Sequence, residues 1–131
     1  MHSDPFDNVY IVTEGSKTFK ILPPYAEGAM NFARRRSGRW GKVGGDWGPV
    51  MDGEDDEGVV WCEEPSSTSP LSPLYRTVTI TPGTLLYLPA GWHHSVSSTG
   101  TSVAYNYWYD RSFDVKWCME RALCELFKQN L

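Results

Sequence analysis

Short stretches of alternating apolar and polar residues recur along the chain, separated by glycine and proline. Alternation over four to eight residues between such breaks is typical of half-buried β-strands. It predicts strands at residues 8–13, 17–22, 77–80, 85–88, 92–98 and 102–109. Between the first two, Glu14-Gly15-Ser16 predicts a turn that joins them as a β-hairpin. Several short strands with Gly and Pro turns indicate an all-β barrel or sandwich.

The pattern changes near the C-terminus, where no Pro or Gly occurs from Ser112 to Asn130. Apolar residues there recur at steps of three and four, which predicts an amphipathic helix over about 113–129 with Ser112 as its N-cap. The recurring residues are Val115, Met119, Ala122, Leu123 and Leu126. The helix also carries Trp117, Leu123, Leu126 and Phe127, which would either cover the barrel or pair with a second copy of the chain.

Two other segments follow no strand or helix period. Residues 27–58 hold eight glycines and two runs of charge, which predicts a flexible Gly-rich insertion at about 27–58. Residues 65–73, PSSTSPLSP, form a second irregular stretch. The 131 residues otherwise suit a single domain, 1–131.

Composition excludes several classes of function. A net charge of −4 argues against direct nucleic-acid binding, since phosphate contacts need clustered Lys and Arg. The basic run from Arg34 is followed by an acidic run, and mutual neutralisation is its simplest interpretation. Three cysteines without a CxxC motif disfavour a disulfide framework or an all-cysteine zinc site. The absence of an apolar run of about 20 residues and the polar, acidic N-terminus predict an intracellular protein, cytoplasmic or nuclear, with no membrane segment.

The adjacent histidines His93 and His94 lie on opposite faces of their strand. His94 shares its face with Trp92 and Val96, whereas His93 shares its face with Ser95 and Ser97. The apolar face is expected to turn toward the core, so His94 is the histidine predicted to be inside. Taken alone, a core histidine bonded to the backbone explains this pattern as well as a metal ligand does.

A second chemical feature is the HxD pair His2-Ser3-Asp4. On an extended strand the two side chains point the same way and can offer one nitrogen and one oxygen to a single ion. A histidine from a distant strand would complete the set of two His and one carboxylate that holds non-haem Fe(II). The pair is short and common by chance, so it is weak evidence alone.

Three polar residues stand on faces that alternation assigns to the interior. Lys17 shares its face with Phe19 and Ile21, which suits binding of an anionic small molecule or a lysine that reaches back to solvent. Asn106 shares its face with Ala104 and Trp108. Asn8 is an even number of residues from Asp4, so on a continuous strand it would point to the same side. Each asparagine would either position a ligand or satisfy neighbouring backbone.

Taken together, the segments HSD, GSKTFKILPP, TPGTLLYLPAGWHH and SVAYNYWYD, in this order, resemble the Jumonji C (JmjC) family, and within it the cupin-like hydroxylases of the lysyl hydroxylase type. The resemblance implies a double-stranded β-helix, or cupin-like jelly roll, with a C-terminal α-helix. The chain begins at the first residue of the metal motif, so we expect an N-terminally incomplete domain that binds Fe(II) weakly and turns over poorly by itself.

The resemblance also implies roles for single residues. The metal ligands for Fe(II) would be His2, Asp4 and His94, and His93 would take a position that is aromatic in the family. Lys17 would bind the distal carboxylate of 2-oxoglutarate. The remaining matches are Asn8 and Asn106 beside the cosubstrate and Trp108 in the substrate pocket.

The implied activity is that of a 2-oxoglutarate-dependent dioxygenase acting on a protein substrate. The nearest analogy is hydroxylation of lysine, and attack at an N-methyl group would amount to demethylation. A homodimer through the C-terminal helix is a further expectation. Two alternatives stay open: a non-catalytic fragment or binding module that keeps the fold, and a cupin enzyme with another metal, which would usually need more histidine ligands.

Overall fold

Antiparallel β-strands make up most of the described chain. The computed structural model describes residues 1–53, 58–66, 68–110 and 115–128. Within them lie one α-helix, α1 (Val115–Lys128), and two 3₁₀ segments, Pro24–Ala29 and Ser72–Leu74. The strands are β1 (Phe6–Glu14), β2 (Lys17–Leu22), β3 (Phe32–Arg35), β4 (Gly38–Val43), β5 (Asp46–Met51), β6 (Val59–Cys62), β7 (Arg76–Ile80), β8 (Leu85–Leu88), β9 (His93–Ser98) and β10 (Val103–Asp110). All six strands predicted from alternation are present.

The chain divides into two compact units, and the larger one holds Met1–Met30 and the residues from Glu64 onward. It contains two three-stranded antiparallel sheets with strand orders β10-β1-β8 and β7-β2-β9. Its core joins Val12 of the first sheet to Phe19 and Ile80 of the second. The predicted all-β, cupin-like jelly-roll class with a C-terminal helix is confirmed.

The predicted hairpin of the first two strands is wrong, because β1 and β2 belong to different sheets. β1 pairs with β10 and β8, whereas β2 pairs with β7 and β9. Gly15 forms the corner between the sheets with a φ of 71°. A Cβ there would clash with the carbonyl oxygen of Thr101, so both the backbone angle and the close approach require glycine. A short Gly turn suits a corner as well as a hairpin, and the sequence pattern does not separate the two.

The smaller unit, Asn31–Glu63, overturns the prediction that residues 27–58 lack regular structure. β3 pairs with β6, and β4 pairs with β5 around a turn at Gly44 and Gly45, both with positive φ. The glycines thus build a tight turn, although they hide the strand alternation in the sequence. Residues 54–57 of the acidic run lie outside the described residues. That this unit is an insertion into one domain of 1–131 stays a prediction.

Helix α1 begins and ends close to the predicted limits, but the proposed N-cap Ser112 and residues 113, 114 and 129 lie outside the described residues. Its apolar residues Val115, Met119, Leu123 and Leu126 are each at least half exposed. That the helix covers the barrel or pairs with a second copy stays a prediction. The described part of the chain has no helix with the length and apolar character that a membrane span requires.

Glu64 is bound to the outer face of the β2–β9 pair. Lys20 donates to Glu64 Oε2 at 2.7 Å, and the Ser95 hydroxyl donates to Glu64 Oε1. The hydrogen bond from Lys20, and then that from Ser95, lower the pKa of Glu64 below its ordinary value of 4.5. The same hydrogen bond to Glu64 raises the pKa of Lys20 above 10.5.

These shifts predict a pH-dependent contribution to stability. A carboxyl group whose pKa is lower in the folded state stabilises the fold above its unfolded pKa, near 4.5, and this stabilisation is lost as the pH falls through the folded value. Glu64→Gln should therefore lower the free energy of unfolding at neutral pH by up to about 1 kcal/mol, the range of exposed ion pairs. Urea denaturation of both proteins across acidic pH measures this, with Glu14→Gln as control. A difference that persists unchanged below the folded pKa would contradict the assignment.

Candidate metal centre

The first residues of the chain pair with β9. His2 and His94 form an antiparallel bridge in which each backbone N–H donates to the other residue's carbonyl, at 3.0 and 2.7 Å. Residues directly opposite in such a pair point to the same face. The imidazole rings of His2 and His94 accordingly face each other with centroids 4.4 Å apart.

Asp4 is held at the point where the chain leaves β9 and crosses to the other sheet. Its carbonyl accepts a hydrogen bond from Gly91 N at 2.8 Å, and Asp7 Oδ1 accepts one from Ala90 N at 2.8 Å. Both bonds fasten the N-terminal segment to the turn before β9. Pro5, which has no N–H, follows Asp4, and β1 begins at Phe6.

Local backbone contacts thus bring the predicted ligands together. Asp4 Oδ1 lies 3.8 Å from His2 Nε2, and Asp4 Oδ2 lies 3.7 Å from His94 Nε2. One ligand atom from each residue lies within 4.8 Å of the others. Among the described residues this is the one group of three or more His, Cys, Asp or Glu side chains close enough to share an ion.

Hydrogen bonding and burial prepare the imidazoles as ligands. His94 Nδ1 is 3.0 Å from the carbonyl oxygen of Trp92. A carbonyl only accepts, so Nδ1 donates this bond, and Nε2 is the ring nitrogen on the side of Asp4, 3.7 Å from Oδ2. Burial lowers the pKa of His2, the nearby His94 lowers it further, and Asp4 acts in the opposite direction. A neutral imidazole is the form that binds metals.

The other predicted site residues share the space between the sheets, as the strand register shows. His94 lies opposite Ile21, and Lys17 lies opposite Ile80 on one side and Ser98 on the other. Asn106 lies opposite Tyr10. Because opposite residues share a face, these polar side chains and Asn8 are on the same inner faces as the core.

Two of these residues, Lys17 and Asn8, carry polar groups that a ligand between the sheets could contact. The half-buried Lys17 donates from Nζ to Ser98 Oγ at 2.7 Å. Asn8 is 5% exposed, and its Oδ1 has no hydrogen-bond partner among the described residues. A buried unpaired polar atom costs about 1–3 kcal/mol, so a ligand that donates to Asn8 would be stabilised by the recovered bond.

Trp108 lies opposite Asn8 at the edge of the first sheet and is 60% exposed. Its place in the substrate pocket stays a prediction. Ser98 was missed from the sequence, because pairing it with Lys17 needs the register of two strands about eighty residues apart.

The alternation places only His94 of the two histidines toward the core, but both are buried. His93 is as buried as His94, at 2% against 4%, while Val96 on the supposed core face is 41% exposed. At the start of β9 both faces are covered. The inner face carries the candidate metal ligands, and Glu27 Oε2 of the Pro24–Ala29 segment lies 3.9 Å from His93 Nε2.

Two imidazoles and one carboxylate on a single face leave several coordination positions open. This donor set is the one that non-haem Fe(II) oxygenases use, and imidazole with carboxylate suits divalent transition metals generally. The residues present therefore fit a catalytic metal better than a closed structural one.

Comparison with known proteins agrees with this site. The profile of the cupin-like domain family matches residues 1–115. The human bifunctional peptidase and (3S)-lysyl hydroxylase JMJD7 is 29% identical over 135 residues, which cover 98% of this chain and 43% of that protein. The lysine-specific demethylase JMJ32 of Arabidopsis thaliana is 32% identical over 142 residues, covering 88% of this chain and 39% of that protein. The JmjC domain-containing protein E of Dictyostelium discoideum is 26% identical over 153 residues, covering 98% and 43%.

The chain thus spans less than half the length of these three relatives. The family profile, however, covers most of the chain and includes all three candidate ligands. The chain therefore belongs to the cupin-like domain family of JmjC proteins.

Proposed function

We propose that the chain carries the metal site of an Fe(II)- and 2-oxoglutarate-dependent oxygenase acting on a protein side chain. The observation that carries the proposal is the cluster of His2, Asp4 and His94 with its ligand atoms within 4.8 Å. Two relatives, named as a lysyl hydroxylase and a lysine-specific demethylase, support the same chemistry.

Fe(II) with 2-oxoglutarate would supply the oxidising power that an unactivated C–H bond requires. The protein's part is to fix the ligand geometry before the metal arrives. The carbonyl of Trp92 sets the tautomer and ring orientation of His94. The paired backbone of His2 and His94 holds the second ring, and the bond from Gly91 holds the backbone of Asp4.

Lys17 is proposed to bind the distal carboxylate of 2-oxoglutarate. It lies on the inner face, and its ammonium is already directed by Ser98 Oγ at 2.7 Å. A charge-assisted bond to carboxylate is about twice as strong as a neutral one, so a carboxylate would compete well for this ammonium. Asn8 and Asn106 are proposed to line the same space beside the cosubstrate and the metal.

Lysine in another protein is the proposed substrate, by analogy with the two relatives. The outcome depends on which carbon of the lysine is attacked. Hydroxylation of a carbon in the lysine side chain gives a stable alcohol. Hydroxylation of an N-methyl group gives an unstable product that loses this carbon, which amounts to demethylation. The alternative is a binding module that keeps the metal site without turnover.

Succinate release from 2-oxoglutarate tests the proposal. We expect Fe(II)-dependent release by the wild type, and Lys17→Ala should raise the KM for 2-oxoglutarate about 10- to 100-fold, as loss of a charged hydrogen bond does. Lys20→Ala, on the outer face of the same strand, is the matched control. 2-Oxobutyrate lacks the distal carboxylate, so Lys17→Ala should not change its KM.

Equal KM values for 2-oxoglutarate in the Lys17 and Lys20 variants would contradict the role of Lys17. Metal binding by the wild type without any succinate release would favour the binding module.

A further inference from the structure

His93 takes no part in the metal cluster, although it is buried beside it. Its ring points away from His94 and toward the 3₁₀ segment Pro24–Ala29. Burial of a polar ring costs more free energy than burial of an apolar side chain, so a histidine at this position calls for a structural or functional reason.

A single carboxylate oxygen connects His93 to helix α1. Glu27 Oε2 lies 3.9 Å from His93 Nε2 and 4.0 Å from Arg121 Nη1. The side chain of Glu27 is only 11% exposed, and that of His93 only 3%. Glu27 therefore lies between β9 and α1, with a nitrogen of each element within 4.0 Å of the same carboxylate oxygen.

These three residues belong to elements that pack around one corner of the molecule. The 3₁₀ segment lies against the turn before β9, where a Cβ on Gly91 would be 3.6 Å from the Pro24 side chain. A cleft of about 320 Å³ opens beside this turn. Its lining residues are Ser3, Asp4, Pro5, Gly91, Trp117 and Arg121. One wall of the cleft is thus α1, and another carries the metal ligand Asp4.

Helix α1 depends on tertiary contacts to hold this position. A helix of 14 residues is marginal in water and depends on tertiary contacts. Its apolar residues Val115, Met119, Leu123 and Leu126 are at least half exposed. Among the described side chains of α1, Trp117 and Arg121 are the ones that line the cleft.

We propose that Glu27 is a positioning residue that, through His93 and Arg121, clamps α1 against β9 and so keeps the wall of the cleft in place beside Asp4. The clamp itself stands on the contacts above. Its effect on the metal site rests on the proposed function. The side chains of Glu27 and His93 are largely buried, whereas the side chain of Arg121 is 48% exposed. Each contact is a polar link between two elements, so the clamp should loosen when any member loses its polar group.

Hydrogen exchange of the α1 amides tests the clamp without metal. Glu27→Gln, Arg121→Gln and His93→Phe should each raise exchange in α1 by about two- to fivefold, the range of partly exposed ion pairs, while exchange in β1 is unchanged. Combining Glu27→Gln with Arg121→Gln should add little to either change, because both break the same contact. Arg121→Lys keeps the charge and should recover part of the protection.

The matched control is Glu63→Gln, which removes a carboxylate that pairs with Arg35 in the smaller unit. Unchanged α1 exchange in Glu27→Gln, or an equal rise in α1 and β1, would overturn the clamp. Fully additive effects of the two single variants would overturn it as well.

Co(II) titration of the same variants tests the effect on the site. Glu27→Gln should weaken Co(II) binding by about tenfold and alter the visible absorption spectrum, as changes around a metal's ligands do, whereas Glu63→Gln should change neither. If Glu27→Gln raises hydrogen exchange in α1 but leaves the Co(II) affinity and absorption spectrum unchanged, the positioning role is overturned. A wild type that binds no Co(II) but shows the expected exchange pattern would refute the proposed function and leave the clamp standing.

Discussion

Replacing His94 by alanine is expected to weaken Fe(II) or Co(II) binding by at least about 100-fold. Changes to groups that only support a ligand already cost about 10- to 100-fold in metal affinity, and loss of the ligand itself should exceed that. Of the three proposed ligands, His94 has the most restricted geometry, because both its backbone groups pair with His2 and its Nδ1 bonds the carbonyl of Trp92. Titration with Co(II), followed by absorption, measures the affinity.

Ser95→Ala is the control for this variant. It changes the next residue on the outer face, where the hydroxyl bonds Glu64, and should leave metal affinity unchanged. Wild-type Co(II) affinity in the His94 variant would show that the metal binds elsewhere.

Replacing Phe19 by alanine is expected to lower the free energy of unfolding by about 3–5 kcal/mol. A domain of this kind is stable by only about 5–15 kcal/mol, so the variant should be near the limit of folding. Phe19 is 1% exposed, lies between Val78 and Val96 on the neighbouring strands, and meets the Tyr10 ring edge-on at a centroid distance of 4.9 Å. Its removal leaves a cavity between the two sheets.

Urea denaturation monitored by circular dichroism measures this loss. Tyr25→Ala removes an aromatic ring that is 73% exposed and should change stability by no more than about 0.5 kcal/mol. A Phe19 variant as stable as the Tyr25 variant would mean that the core does not lie between the sheets. Lys17 and Ile21 flank Phe19 on the inner face, so the same variant should also disturb the proposed cosubstrate site.

The strands of the larger unit could be predicted because half-buried strands alternate in sequence. The sheet to which each strand belongs could not, because a turn such as Glu14-Gly15-Ser16 is compatible with a hairpin and with a corner. The strands of the smaller unit were missed, since glycines and charged residues interrupt their alternation. The alternation of apolar and polar residues indicates which face of a strand is buried. Which strands lie next to it depends on pairing between segments that are far apart in sequence.

The candidate site was predictable in part for the same reason. The HxD spacing and the parity of His94 point to one metal, and the register brings these residues together. The environment of His93 was not predictable, because burial of both faces depends on the Pro24–Ala29 segment, which packs from outside the sheet. The partnership of Lys17 with Ser98 likewise depends on register between distant strands.

X-ray absorption at the cobalt edge tests the central claim most directly, because imidazole ligands give a characteristic scattering pattern that can be counted. The protein has three histidines, which makes the count unambiguous. We predict two imidazoles on the metal in the wild type, one in His94→Ala, and still two in His93→Ala. Loss of an imidazole in His93→Ala, or two imidazoles retained in His94→Ala, would contradict the assignment of His2, Asp4 and His94 as the metal site.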